Sequence, residues 1–236
     1  MKLDPAFIWE SLKLLLSALP TTLVITAVSV TAGFVIGVIV ALIRIYRVPA
    51  LYPFAVSYVT FIRGTPMLTH LLLIYFGLPL IVDGLAAQFG WSFRSASIPM
   101  IGFAFISFSI TAGAYMSEVV RSGLLAVNRG QTEAAYSIGM TTFQALRRIV
   151  FPQALAVSLP NLSNSVIGML HGSTLAFTVS VVDINAKAQI VATTNWKFFE
   201  AYIAAAVIFW VLTIAIERLT ALIEKRINLY NRGGVA

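Results

Sequence analysis

Five apolar stretches, each long enough to cross about 30 Å of hydrocarbon as a helix at 1.5 Å rise per residue, decide what this chain can fold into. They run from about Leu19 to Ile43, Val56 to Ile81, Ile98 to Val120, Leu155 to Val182 and Ala201 to Leu222. Composition agrees: 59% of the 236 residues are hydrophobic and 11% charged, where soluble domains carry roughly 45–50% and about 25%. A soluble protein of this size has no interior able to hide so much apolar side chain, whereas a lipid-facing surface removes the need. The expected fold class is an all-α membrane protein with about five transmembrane helices, forming a single domain over residues 1–236.

The first residues do not read as a secretory leader. Lys2 and Lys13 are matched by Asp4 and Glu10, and the first apolar run is too long for a signal core, so it is expected to stay as an anchor. Within that run Gly33 and Gly37 form a small-xxx-small pair that lets another helix come close.

An odd number of crossings puts the termini on opposite sides, and the basic residues choose which. One set of flanks carries Arg44, Arg47, Arg63, Arg121, Arg129, Arg147, Arg148, Arg218, Lys225, Arg226 and Arg232; the other carries Lys2, Lys13, Arg94, Lys187 and Lys197. Eleven against five predicts the N-terminus outside and the C-terminus in the cytoplasm. Because the acidic residues divide almost evenly, the net charge of +7 falls on the cytoplasmic side, where anionic lipid headgroups are the expected partner and nucleic acid is not. Asp183, Glu200, Lys187 and Lys197 are expected in solvated outer loops, and Glu118 is expected to pair with Arg121 at i,i+3.

The longest cytoplasmic segment, residues 121–152, is too short to fold alone. Gln131 to Ile138 is predicted as a short helix, with Gly130 before it and Gly139 after it as a C-cap. Thr141 or Thr142 is placed to cap a second helix, in which Phe143, Leu146, Ile149 and Val150 make one apolar face. Pro152 is expected to interrupt it before the next span. The shape is a helix–glycine–helix elbow, either a docking knob or an amphipathic connector on the membrane surface.

The residues of this elbow carry a resemblance. Glu133-Ala134-Ala135, then Gly139, Ile149 and Pro152 at their spacing, resemble the EAA loop of ABC importer permeases. Arg63-Gly64-Thr65-Pro66 resembles the signature of the polar amino-acid uptake family, as do Ala114 to Arg121, Gly130-Gln131, Phe151 to Ala154 and Leu159 to Asn161. The likeness covers roughly residues 15–225. It implies a type I permease in which two such subunits, identical or not, pair around a central pathway. It also implies a cytoplasmic ABC ATPase dimer, an extracytoplasmic substrate-binding protein and an amino-acid substrate. The Leu175 to Ser180 run is most similar to cystine-type members, with other polar amino acids open.

In that family the elbow is the coupling helix seated in the ATPase. By resemblance the coupling residues are Gln131, Glu133, Ala134, Ala135, Gly139 and Pro152. Arg63, Gly64, Thr65 and Pro66 are expected to line a gate, with the glycine–proline pair breaking regular backbone and Arg63 divided between the gate and the headgroups. Polar residues inside a span default to functional hypotheses. In the fourth stretch Asn161, Asn164 and His171 fall near one helical face, with Ser173 and Thr174 following, so these five are the candidates to face substrate. His171 stands where relatives often carry Lys, and is equally expected as a packing histidine bonded to a neighbouring helix; His70 is expected as a helix-contact residue.

The chain has no GxxxxGK[ST] phosphate loop, so no cofactor is expected on it, and ATP and Mg belong on the partner ATPase. No catalytic residue and no metal site is expected: there is no cysteine, and His70 and His171 lie on different stretches with no third ligand. The rival reading, an ATP-independent secondary transporter or channel, needs buried ionisable relays that these spans lack.

Overall fold

The computed structural model describes residues 3–232, and among them helices are the only regular elements. Four helices are long and apolar enough to cross a membrane, or five if one bent pair counts as a single crossing.

The chain starts one helix earlier than expected. α1 spans Pro5–Leu15, begun by Pro5 at its first position and by the Asp4 carboxylate, which accepts from the Phe7 N–H at 3.2 Å. A tight turn at Leu16–Ala18 leads into α2, Leu19–Ile45. One straight crossing of 41 residues would reach about 60 Å, twice the hydrocarbon thickness, so α2 makes the crossing and α1 packs instead on the helices that follow Asp183. Phe7 and Leu15 bury against Ile184, Ala188 and Ala201, on the helices that follow Asp183. Lys197 closes this corner, with its ammonium 2.7 Å from Asp4 Oδ2 and 4.7 Å from the centre of the Phe7 ring. The hydrogen bond from Lys197 holds the Asp4 carboxyl below the usual carboxylate range, and the same bond pushes Lys197 up. Both side chains are substantially exposed, so the pair adds little stability.

The second apolar stretch is not one helix. α3 spans Leu51–Gly64 and α4 spans Met67–Phe89, with Thr65 (φ −128°, ψ 153°) and Pro66 (φ −66°, ψ 142°) extended between them. A proline drives the residue before it out of the helical region, which is why the break falls on Thr65. At 14 residues α3 reaches about 21 Å, so α4 makes the crossing, and it ends at residue 89 rather than 81.

α5, Met100–Ala126, is the central helix: 61% of its apolar window is buried, against 17% for α4. It extends past the expected boundary at Val120 because its last turns pack on α8, where Ser158 Oγ lies 3.4 Å from the Val119 carbonyl.

α6, Arg129–Ser137, begins two residues before the expected start. The Asn128 side chain caps it by accepting from the Gly130 N–H at 2.9 Å, so Gly130 lies inside the first turn. After the elbow, α7 (Thr142–Ala145) passes through a wide π-helical turn at Leu146–Val150 directly into α8, Phe151–Gly172. Pro152 therefore does not interrupt the helix. Its ring would crowd the carbonyl four residues back, and the wider π turn gives it room without a stop.

α8 tightens at Gly172 into a 3₁₀ segment, Ser173–Val179, and the chain then turns at Ser180 in the left-handed region (φ 62°). α9, Ile184–Asn195, leaves at 54° to the helix before it. Asp183 and Glu200 are corrected by this geometry, for neither lies in a solvated loop. Asp183 is fully buried and caps α9, accepting from the Ala186 N–H at 2.8 Å, while Glu200 is buried with Oε1 accepting from the Asp4 N–H at 3.2 Å. α10, Phe198–Arg232, makes the last crossing. Lys2 lies outside the described residues.

Candidate functional site

The elbow is built by two caps. Behind α6, the Gly139 N–H donates to the Tyr136 carbonyl at 2.9 Å and the Met140 N–H to the Ala135 carbonyl at 3.0 Å. This is a Schellman ending with Gly139 at φ 80°, a conformation that excludes most side chains. Thr141 then opens α7 with a reciprocal capping box to Gln144. The sequence placed the glycine cap and narrowed the second to Thr141 or Thr142, of which the structure uses Thr141.

Between them stands a small surface knob. Gln131, Glu133 and Ala134 are exposed, Ala135 is buried, and Ile138 and Phe143 are 72% and 70% exposed. Among the described residues Glu133 forms no ion pair. Ile138, outside the crossing helices and beside a carboxylate without an ion pair, leaves this surface uncovered within the subunit. Pro152 sits nine residues beyond Phe143, in the first turn of α8.

At the ends of α2, α3 and α5 nearest the elbow, three arginines meet one carboxylate. Glu118 Oε1 accepts from Arg44 at 2.5 Å, with Arg63 at 3.6 Å, and Oε2 accepts from Arg121 at 3.1 and 2.8 Å. The expected Glu118–Arg121 pair is therefore one arm of a hub joining three helices. Arg63, left between gate and headgroups by the sequence, turns to this hub while remaining about half exposed. Sequence reasoning did not connect Arg44 to Glu118. The available signal was that Glu118 is the only acid in the third apolar stretch, one turn from its basic end.

Replacing Glu118 with Gln leaves three guanidinium groups crowded without a countercharge. Removing one partner of a partly buried pair is expected to cost about 2 kcal/mol, less than the full price of a buried one. Thermal unfolding in detergent checks this, with a midpoint a few degrees lower than wild type expected and an unchanged midpoint contradicting the hub.

Past the Thr65–Pro66 break, Met67 joins Thr111, Ala112, Tyr115, Asn164, Ser165, Gly168 and Met169 in a groove of about 420 Å³ between α4, α5 and α8. Asn164 is the candidate that the structure places here. Asn161 is exposed one turn away, outside the groove lining. His171 turns to α10 instead, its Nε2 3.2 Å from Thr213 Oγ1 and its ring edge-on to Phe209, as a packing histidine would. Ser173 is fully buried with its hydroxyl donating to the Leu170 carbonyl at 2.7 Å, so it faces no open path. Thr174 likewise donates to the His171 carbonyl at 2.7 Å. Ser173 and Thr174 leave the α-helical register because the helix tightens beyond Gly172, whereas Asn161, Asn164 and His171 part within α8 itself, His171 being drawn to Thr213 on α10. Among the described residues no group of His, Asp or Glu is arranged to hold a metal ion.

A bundle of long apolar helices with a groove between α4, α5 and α8 and an elbow ahead of α8 defines a polytopic membrane subunit. The chain belongs to the family described as the binding-protein-dependent transport system inner membrane component, which matches residues 33–229. It is 36% identical to the probable amino-acid ABC transporter permease protein PatM of Vibrio harveyi, over 97% of this chain and 98% of that one. It is 34% identical to the L-cystine transport system permease protein TcyL of Bacillus subtilis, over 95% and 92%. Among solved structures it is similar to a chain from an amino acid ABC transporter crystallised with histidines, at TM-score 0.79 and 35% identity, covering 96% of this chain and all of that one. The inward-facing MetNI methionine ABC transporter shares the fold at TM-score 0.70 and 20% identity, over 95% and 99%. The fold is thus that of a type I importer permease, and the chain is a multi-pass membrane protein.

Proposed function

We propose that the chain translocates an amino acid, cystine or another polar one, as the permease half of an ATP-driven importer working by alternating access. The observation that carries this reading is the elbow, with its carboxylate unpaired and its apolar side chains uncovered. A cytoplasmic ABC ATPase dimer seats on it and holds ATP and Mg, while this chain binds neither. A second permease subunit completes the pathway, and an extracytoplasmic binding protein delivers substrate at the opposite face. The excess of basic flanks on the elbow side supports a cytoplasmic elbow and C-terminus, with the N-terminus outside. Gln131, Glu133, Ala134, Ala135 and Gly139 form the coupling surface, with Pro152 shaping the turn behind it. Arg63 to Pro66 form the inner gate, and Asn164 is the polar side chain best placed to meet substrate.

Uptake of labelled amino acids into proteoliposomes tests the reading. The chain is reconstituted with its ATPase and binding protein, and accumulation is expected only when all three and ATP are present. Accumulation without the ATPase replaces the importer with a secondary transporter or channel.

A further inference from the structure

His70 belongs to none of the motifs above, yet it is 4% exposed at the junction of three helices. Its Nε2 lies 2.6 Å from Thr65 Oγ1, inside the α3–α4 break, and its Nδ1 lies 3.1 Å from Thr111 Oγ1 on α5. Phe61, in the last turns of α3, leans over the ring with centroids 6.2 Å apart. Thr111 in turn lines the groove beside Tyr115 and Asn164. One imidazole therefore joins the broken backbone to the wall of the groove.

Counting hydrogens shows how tightly the three groups depend on one another. The Thr65 hydroxyl donates to the Phe61 carbonyl at 2.7 Å, and the Thr111 hydroxyl donates to the Ser107 carbonyl at 3.0 Å. Each hydroxyl has a single hydrogen, so with these bonds made each meets its ring nitrogen as an acceptor. Both nitrogens must then donate, which only the doubly protonated ring does. With a neutral ring, one threonine has to release its backbone carbonyl and turn its hydrogen to the imidazole. In either arrangement the heavy atoms stay in place, and each threonine answers to the ring as well as to its own helix.

We propose that His70 is a positioning residue for the translocation path, clamping the Gly64–Pro66 break to the α5 wall of the groove. The inference rests on the importer reading for its role in transport, but not for its geometry. His70 meets no substrate. It sets where Arg63 and Met67 stand on either side of the break, and so how the gate residues face the groove. Without it, α3 is tied to α5 by the Tyr58 hydroxyl, which donates to the Ile110 carbonyl at 2.5 Å, and by the 3.6 Å contact of Arg63 with Glu118, neither of which holds the Gly64–Pro66 segment itself. Leucine fills most of the ring's volume and makes neither bond, whereas glutamine keeps one donor and one acceptor on a side chain of similar reach.

The test pairs amide hydrogen exchange with uptake. In His70→Leu, exchange over residues 61–70 is expected to rise about tenfold, as for a lost pair of buried hydrogen bonds, and the maximal rate of ATP-driven uptake is expected to fall about fivefold. His70→Gln is expected to restore both to within about twofold, as a side chain keeping both bonding ends should. Wild-type exchange in the leucine variant, or a glutamine variant as impaired as leucine, overturns the clamp. Should the leucine variant not accumulate, Thr111→Val removes one arm at nearly constant shape and is read by the same exchange, with faster exchange expected and no change overturning the clamp. If the wild-type chain shows no ATP-driven uptake at all, the importer reading falls, and the exchange comparison alone decides whether the clamp exists.

Discussion

Reversing one exposed charge, in Glu133→Arg, is expected to abolish ATP-driven uptake while leaving the folded permease intact. Glu133 is exposed in the middle of α6 and forms no ion pair among the described residues, so nothing inside the subunit depends on its sign. A substitution at such a site changes stability by no more than about 0.5 kcal/mol. On the proposed coupling role, its effect lies at the surface that the ATPase covers. There a carboxylate flanked by Ala134, Tyr136 and the exposed Ile138 passes from water into a contact, and a wrong-signed charge is left unpaired. Such a change costs about 2–5 kcal/mol of association, a factor of roughly 30 to several thousand. The measurements are the unfolding midpoint of the isolated subunit, the fraction of ATPase that co-purifies with it, and uptake in proteoliposomes. An unchanged midpoint with lost co-purification and lost uptake is expected. Retained uptake removes the coupling role from the elbow.

The elbow was legible because its signals are local. Gly139, Thr141 and Gln144 act on backbone within a few residues of themselves, and the structure places them as their chemistry requires. The Thr65–Pro66 break was legible for the same reason, since a proline constrains its predecessor whatever surrounds it. Its consequence was not, because hydropathy averages across the break and reads α3 and α4 as one run. The half of the fold away from the elbow stayed hidden for a different reason. Ser180 and Trp196 adopt positive φ without being glycine, so neither the turn after α8 nor the one after α9 carries the expected residue. Asp183 reads as a loop carboxylate until the start of α9 seats on α2, where the Ile184 N–H donates to the Thr22 hydroxyl at 3.1 Å, and burial of that kind is set by helices distant in sequence. Nor could the candidate substrate face be drawn correctly: a helical wheel takes no account of neighbours, and Thr213 on α10 draws His171 away from Asn164, while Ser173 and Thr174 lie in the 3₁₀ segment beyond α8. Polar contacts between helices, such as Arg44 with Glu118, depend on which helices are neighbours, which hydropathy does not reveal.

The largest structural effect is expected at the contact of α2 with α5. A methyl group added to Gly33 would fall on the Ala112 side chain, with the Ala112 carbonyl carbon and the Gly113 nitrogen both at 3.1 Å. One turn on, a methyl at Gly37 would meet Met116 Cβ at 2.9 Å and the Ser117 nitrogen at 3.0 Å, and in the other direction one at Gly113 would meet Ile36 Cγ2 at 2.6 Å. The two backbones touch along two turns, so there is no flexible side chain to yield, and the helices must separate. Overpacking of this kind costs about 1–3 kcal/mol for a methylene and more for a larger group, and in lipid close packing is itself a principal source of helix association. Gly33→Leu is therefore expected to lower the unfolding midpoint sharply and to abolish uptake, because α5 carries Glu118, Thr111 and Tyr115 together and moves them as one body. Gly33→Ala is expected to show a smaller loss, about 2 kcal/mol by the same overpacking argument. Adding Ala112→Gly removes the methyl that collides and should return more than half of that loss, the remainder reflecting the backbone atoms still at 3.1 Å. Gly77→Ala on α4, where an added methyl meets nothing within 4 Å, serves as the control and should leave the midpoint unchanged or raise it. If Gly33→Ala matches Gly77→Ala, or if Ala112→Gly gives no recovery, α2 does not lie against α5 at this distance. The hub at Glu118 would then have to be redrawn with it, since Arg44 reaches that carboxylate only because the two helices run this close.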